Sequence, residues 1–225
     1  MNDLFGLGGE PVLGAIFDLD GVLVDTAKYH YLAWKRLAQE LGFFFTEEDN
    51  ERLKGVSRLR SLEILLETGH CSMTEEEKAA AAEKKNAWYV EYLHALDEGA
   101  LLPGSREYLR QLRAGGIKTA LGSASKNAPL ILERLSIAPF FDAVIDGNLV
   151  SRAKPDPEVF LKGAKALALS PSSCVVFEDS AAGIEAARAG GMRVIGVGRP
   201  ENLPGAEKYV ASLQELLFCP DQIWW

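Results

Sequence analysis

The sequence predicts an α/β protein: a doubly wound parallel sheet with an all-helical cap inserted after its first strand. Three observations carry this. From residue 103 onward, short apolar runs alternate with helical periods, the pattern of strands covered by helices on both faces. The strand-like runs tend to stop at polar clusters, as they do where a parallel sheet opens onto a ligand crevice. Between the first strand and residue 96 only helical periods occur. The expected division is an α/β core of residues 1–24 and 97–225 and a helical cap of residues 25–96. Linkers near Val22–Asp25 and Asp97–Pro103 would form its hinge.

Val12–Phe17 is an apolar run that ends in Asp18-Leu19-Asp20-Gly21 and reads as a buried strand. After Asp25-Thr26 the period turns helical. Thr26, His30, Trp34, Leu37 and Leu41 share one face, and Gly42 stops the run. Thr46–Leu53 reads as a short helix capped by Thr46, with Asp49 in its first turn. Lys54-Gly55-Val56-Ser57-Arg58 is a loop into a helix over Leu59–Thr68, ended by Gly69. Thr74 and Glu77 form a capping box that opens a long helix reaching Leu96.

Past Pro103-Gly104, Tyr108–Leu112 is helical and ends at Gly115-Gly116. Ile117–Leu121 is a strand, and Asn127 caps the helix that follows, with Pro129 in its first turn. Ala143–Ile145 is a short strand. Asp156 and Pro157 take the N-cap and N1 positions of the next helix. Cys174–Phe177 is a strand, Ala181–Ala189 a helix stopped by Gly190-Gly191, and Met192–Val197 a strand.

Composition narrows the classes. At 225 residues, a chain buries roughly 70–75% of its unfolded surface and needs no staples. The apolar and charged fractions are ordinary for a soluble globular protein. No apolar run reaches the ~18 residues of a membrane span, and Met1–Glu10 lacks the basic start of a signal peptide. A net charge of −8 argues against nucleic acid as partner. Cys71, Cys174 and Cys219 lie far apart without CxxC spacing, which argues against zinc and disulfides and for a cytoplasmic setting. A monomer is expected.

Four polar clusters fall at strand ends or in the loops beyond: Asp18/Asp20, Ser123–Asn127, Lys154 and Glu178-Asp179. The fold would bring them into one crevice. Asp18, Asp20, Glu178 and Asp179 would repel one another there without a cation. All-oxygen carboxylate ligation suits Mg²⁺, which keeps waters and shares its coordination with phosphate. An EF-hand is excluded because the glycine after Asp18 sits at the fourth position rather than the sixth. Ser123 and Lys154 supply a hydroxyl and a fixed cation for a phosphoryl group. The combination predicts phosphoryl transfer through an aspartyl-phosphate. Asp18, ending the strand, is the candidate nucleophile. Asp20, two residues on and on the same side of an extended chain, is the candidate general acid/base.

This order of motifs resembles the haloacid dehalogenase superfamily over essentially the whole chain. Asp25-Thr26 with His30 and Trp34, Lys54–Arg58, Ser123–Asn127 and Gly196-Val197-Gly198-Arg199-Pro200 are similar to the β-phosphoglucomutase family within it. The resemblance implies a phosphomutase that interconverts β-D-glucose 1-phosphate and D-glucose 6-phosphate through β-glucose 1,6-bisphosphate, under a closing cap. It implies that Asp18, the Asp20 carbonyl, Glu178 and Asp179 surround Mg²⁺. It implies that Arg58, Ser125, Lys126 and Asn127 hold the second, non-transferring phosphate. Thr26, His30 and Lys85 would position the acid/base aspartate, and Trp34, Gly55, Val56, Ser57 and Ser61 would touch the sugar.

Two anion sites agree with a mutase, since a phosphatase needs only one, and Arg58 offers a planar two-pronged donor. A phosphatase acting on a small sugar phosphate remains the alternative reading. A signalling receiver module uses similar residues but carries its acid pair after the first strand, whereas Glu178-Asp179 comes late. Taken singly, Trp34 reads equally as core, Arg58 and Lys85 as surface charges, His30 as a packing residue and Ser57 as a helix cap. Ile223-Trp224-Trp225 has no assigned role.

Overall fold

The computed structural model describes residues 5, 7, 11–53 and 56–217. Gly55, expected against the sugar, lies outside the described residues, as do Lys54, Cys219 and Trp224-Trp225.

Six parallel strands form one sheet: β1 (Gly14–Phe17), β2 (Lys118–Gly122), β3 (Ala143–Ile145), β4 (Cys174–Glu178), β5 (Arg193–Val197) and β6 (Lys208–Val210). Their order is β3-β2-β1-β4-β5-β6. The chain therefore builds outward from β1 on one side, then returns to start again on the other. The reversal falls between β1 and β4, where ligands bind in sheets of this type.

Alternation along the strands divides the core between the two faces. Phe17, Leu121, Val175, Phe177 and Ile195 point to one side, over α5 (Ser105–Ala114) and α6 (Ala128–Arg134). Ile16, Ala120, Val176 and Val194 point to the other, over α7 (Glu158–Ala166) and α8 (Ala181–Ala189). The first face is aromatic: Phe17 stacks on Phe177 at 4.5 Å, and the Tyr108 ring meets both edge-on.

Between β1 and α5 in the chain stand four α-helices: α1 (Ala27–Glu40), α2 (Glu47–Glu51), α3 (Arg58–Thr68) and α4 (Glu75–Leu93). Trp34, Leu37, Leu62, Leu65, Trp88 and Tyr89 pack among them and continue the aromatic core of the sheet. The two connections into this helical insertion pair with each other. Asp25 N donates to Ala100 O at 3.1 Å and Leu102 N to Leu23 O at 3.0 Å, around an antiparallel bridge from Val24 to Leu101.

Differences from the sequence reading have local causes. β1 begins at Gly14, because Leu13 N is already bonded to Ser173 O and its side chain faces solvent. α4 ends at Leu93, not Leu96, closing through His94 N to Val90 O. α5 starts at Ser105, three residues before Tyr108, behind the left-handed Gly104. Pro157 rather than Asp156 occupies the N-cap of α7, while Asp156 Oδ1 accepts from Glu158 N at 3.0 Å. β6 was not foreseen, since three residues, Lys-Tyr-Val, are too few to show alternation.

Candidate active site

The register sets Phe17 opposite both Phe177 and Leu121, so β1 ends one residue before β2 and β4. Asp18 leaves the sheet beside Glu178, its N–H still bonded to Phe177 O at 2.9 Å. Lys154 arrives from the loop after β3. Its Nζ donates to Asp18 Oδ1 at 2.5 Å and to Glu178 Oε1 at 2.6 Å, over the Phe160 ring. All three groups are buried. The second Glu178 oxygen accepts from Ser180 N at 2.8 Å and Ser180 Oγ at 3.1 Å. A Cβ at Gly183 would collide with Glu178 Oε1, so the start of α8 can approach this carboxylate only as glycine.

Burial pushes the Asp18 carboxyl above the usual carboxylate range, with repulsion from Glu178 and Asp20 adding to it, against the pull of Lys154. For Lys154 burial acts downward, but the two carboxylates outweigh it and hold the ammonium charged.

Gly21 makes the exit from β1 possible. Its φ is +80°, and a Cβ there would strike the Asp179 carboxylate. Gly21 N donates to Val24 O at 2.9 Å, closing a tight loop that turns Asp20 toward the helical insertion. Thr26 occupies the N-cap of α1 but does not cap it, because its hydroxyl donates to Asp20 Oδ1. Burial raises the Asp20 carboxyl, and the Thr26 hydrogen bond opposes the rise.

The cap residues form a second cluster. Lys85 Nζ lies 3.0 Å from His30 Nδ1, 4.4 Å from the Trp34 ring centre and 4.8 Å from that of Tyr89, which stacks on His30. Burial and the nearby Arg58 charge depress Lys85 well below its ordinary value, while Asp20 pulls it up. Burial, then Lys85 and Arg58, depress His30 similarly. Lys85 thus lies within electrostatic reach of both Asp20 and Arg58. Trp34, buried within the cap, is a platform for the Lys85 ammonium. Arg58 opens α3 and pairs with Glu83 at 2.7 Å. Ser57 caps α3 through Arg60 N, Ser61 is buried one turn on, and Val56 is half-buried against the main core.

The loop after β2 is laid out by its own hydroxyls. Ser123 Oγ accepts from Ser125 N at 3.0 Å, and Ser125 Oγ from Asn127 N at 3.2 Å. Ser123 is buried and Lys126 exposed. Three supports of this loop escaped the sequence reading: Gly147 N bonds Ser125 O, Asn148 Nδ2 bonds Lys126 O, and buried Asp146 accepts from Asn148 N. Asp146 follows β3 directly, so the strand-end rule would have found it. Asn127 Nδ2 donates across to Asn86 Oδ1 on α4 at 2.9 Å, a second contact missed, because nothing in the spacing of two asparagines 41 residues apart signals it.

Among the described residues, no three acid, histidine or cysteine side chains converge into a ready cation cage. The donors present, the carboxylates of Asp18, Glu178 and Asp179, are hard oxygens of the class Mg²⁺ takes. No helix among the described residues is long and apolar enough to cross a membrane.

The model of the haloacid dehalogenase-like hydrolase family matches residues 12–191. A Bacillus subtilis β-phosphoglucomutase is 43% identical over 89% of this chain and 90% of its own length. A Thermotoga maritima phosphorylated carbohydrates phosphatase is 36% identical over 81% and 83%. Among solved structures, a β-phosphoglucomutase from Clostridium difficile superposes with a TM-score of 0.88 at 42% identity, over 92% of this chain and 94% of that one. The family is generally magnesium-dependent. With the acid pair, lysine and Glu-Asp pair all at the strand ends its family model spans, the chain belongs to the haloacid dehalogenase-like hydrolase family.

Proposed function

We propose that this chain is a phosphomutase that interconverts β-D-glucose 1-phosphate and D-glucose 6-phosphate, and that residues 25–96 are its cap. The observation that carries the reading is the set of bonds at the strand ends, Lys154 to Asp18 and Glu178 beside Thr26 to Asp20. Lys154 is fixed on Asp18 at the sheet, and Arg58 stands on the cap within electrostatic reach of the same Lys85 that senses Asp20. The 43% identity to the Bacillus subtilis mutase supports it.

Asp18 is the nucleophile. Phospho-Asp18 gives its phosphoryl group to the 6-hydroxyl of β-glucose 1-phosphate, and Asp20 takes the proton. After the bisphosphate turns over, Asp18 attacks the phosphorus at C1. The bond from phosphorus to the sugar oxygen breaks, Asp20 returns the proton to that oxygen, and glucose 6-phosphate leaves. Thr26, His30 and Lys85 hold Asp20 in place, a raised carboxyl being suited to carry a proton. Ser123 and Lys154 bind the phosphoryl group in transit. Arg58, Ser125, Lys126 and Asn127 bind the other phosphate, with Trp34, Gly55, Val56, Ser57 and Ser61 around the sugar. Asp18, the Asp20 carbonyl, Glu178 and Asp179 would hold Mg²⁺, which supplies charge neutralisation on the phosphoryl oxygens. Closure of the cap keeps water from phospho-Asp18. The protein acts as a monomer in the cytoplasm on this reading.

The test is incubation with Mg²⁺, a trace of bisphosphate and either anomer of glucose 1-phosphate. Glucose 6-phosphate should accumulate from the β anomer. Release of inorganic phosphate at a comparable rate would make the chain a sugar phosphatase, like the Thermotoga maritima phosphorylated carbohydrates phosphatase. Asp18→Asn should lower turnover roughly a thousandfold or more.

A further inference from the structure

We propose, on the phosphomutase reading, that Asn86 is a positioning residue: its side-chain amide latches the cap helix α4 onto Asn127, so that one contact both orders the second-phosphate loop and shuts water out over Asp18.

Three observations carry this. The first is what Asn127 does not do. It stands at the N-cap of α6, a position where an asparagine side chain ordinarily binds its own helix, yet it makes no such bond. Its amide reaches across to Asn86 instead, at 2.9 Å. The amide is used between the lobes rather than within one, while its backbone N–H remains tied to Ser125 Oγ.

The second is the setting of Asn86. One turn of α4 carries four polar contacts: Glu83 to Arg58, Lys84 to Glu40, Lys85 to His30, and Asn86 to Asn127. Residues three apart share a helix face, so Glu83 and Asn86 look the same way. The turn that meets the core loop is thus the turn that meets both cap-side groups assigned to substrate and to Asp20.

The third is the lever. α4 and α6 touch at two polar points among the described residues. Besides the amide pair, Arg134 Nη2 at the end of α6 donates to His94 O at the end of α4, at 2.6 Å. The contacts are eight residues apart on one helix and seven on the other, about 12 Å and 11 Å of rise, so the helices run alongside in one direction. His94 closes α4 three residues before the linker Asp97–Pro103, which pairs with Val24 through Leu101 and where the cap would pivot. A swing of about 10° there moves Asn86 by about 2 Å, enough to break its bond, while Arg134 and His94 barely separate. The Asn86–Asn127 bond therefore forms only near closure and reports it. Phosphate gathered by the 123–127 loop orders Asn127, and an ordered Asn127 holds the cap down.

The experiment follows the fate of phospho-Asp18. With β-glucose 1-phosphate, bisphosphate and Mg²⁺, glucose 6-phosphate and inorganic phosphate are both measured. Their ratio does not depend on how much enzyme is folded. In Asn86→Ala, water attacks the phosphorus and breaks the aspartyl bond more often, so phosphate per glucose 6-phosphate should rise about tenfold, the scale of one lost hydrogen bond. KM for β-glucose 1-phosphate should rise with it. In an Asn127→Ala background, Asn86→Ala should add almost nothing. An unchanged ratio, or an Asn86→Ala effect of equal size in both backgrounds, overturns the latch. If the parent protein makes only phosphate, the mutase reading fails instead. The latch is then judged on the KM for sugar-phosphate hydrolysis, where additivity of the two variants would still overturn it.

Discussion

Lys85 is an ammonium group with almost no water around it. Two aromatic faces and one imidazole nitrogen replace its hydration, and burial depresses it strongly. Such a group is costly to the fold. Lys85→Met conserves the volume and removes the desolvation cost. We expect the unfolding midpoint to rise by about 2–4 °C while turnover falls at least about tenfold. Calorimetry beside the product assay checks this, and a lowered midpoint would show Lys85 to be structural. Arg58 is the opposite case. Its partner Glu83 is mostly exposed, so the pair contributes little to stability. Arg58→Ala should leave the midpoint nearly unchanged and slow the mutase reaction by about 10–150-fold, the worth of one charge-assisted phosphate contact of about 1.5–3 kcal/mol. Hydrolysis of a small phosphate ester should fall much less. Equal losses in both assays would remove Arg58 from the second phosphate site. At this scale, sequence named Lys85 and Arg58 by resemblance alone. Their surroundings depend on Trp34 and Glu83, which touch them only in three dimensions, and on Tyr89, one helical turn from Lys85.

Helix ends were the most legible elements. Thr74 with Glu77 is the complete capping box its spacing announces, and Thr46, expected as a cap, closes a box with Asp49 as well. The start of α7 was misread by one residue, and its strongest local device was missed. Glu158 accepts from Ser151 N, Ser151 Oγ and Arg152 N and pairs with Lys162. The Lys162 contact first, then these backbone donors, lower its carboxyl to about 2. A depressed carboxyl adds stability that is complete above its unfolded value near 4.5 and lost as pH falls through about 2. Glu158→Gln should therefore be less stable than the parent at pH 7, with the gap closing between pH 4.5 and 2. Unfolding midpoints across that range decide it, and a gap that persists at pH 2 would mean the loss is one of packing. The device matters because this helix follows the loop that delivers Lys154.

Over the whole molecule, one aromatic core runs from Phe17, Phe177 and Tyr108 under the sheet to Trp34, Leu62 and Trp88 in the insertion. Continuity of burial predicts a single cooperative unfolding transition by calorimetry, with equal calorimetric and van't Hoff enthalpies. Two resolved transitions would show that the cap unfolds by itself. The sequence by itself determined the alternation of strands and helices, the insertion after the first strand and the acids at strand ends. Those are properties of short stretches, in which period and capping are local. Only the tertiary structure decided the strand order that sets Glu178 beside Asp18, the bridging of both by Lys154, and the reach of Asn127 to Asn86. Each joins residues tens of positions or more apart in the chain. Local propensity carries no information about such pairs until the sheet has chosen its neighbours and the helices their faces.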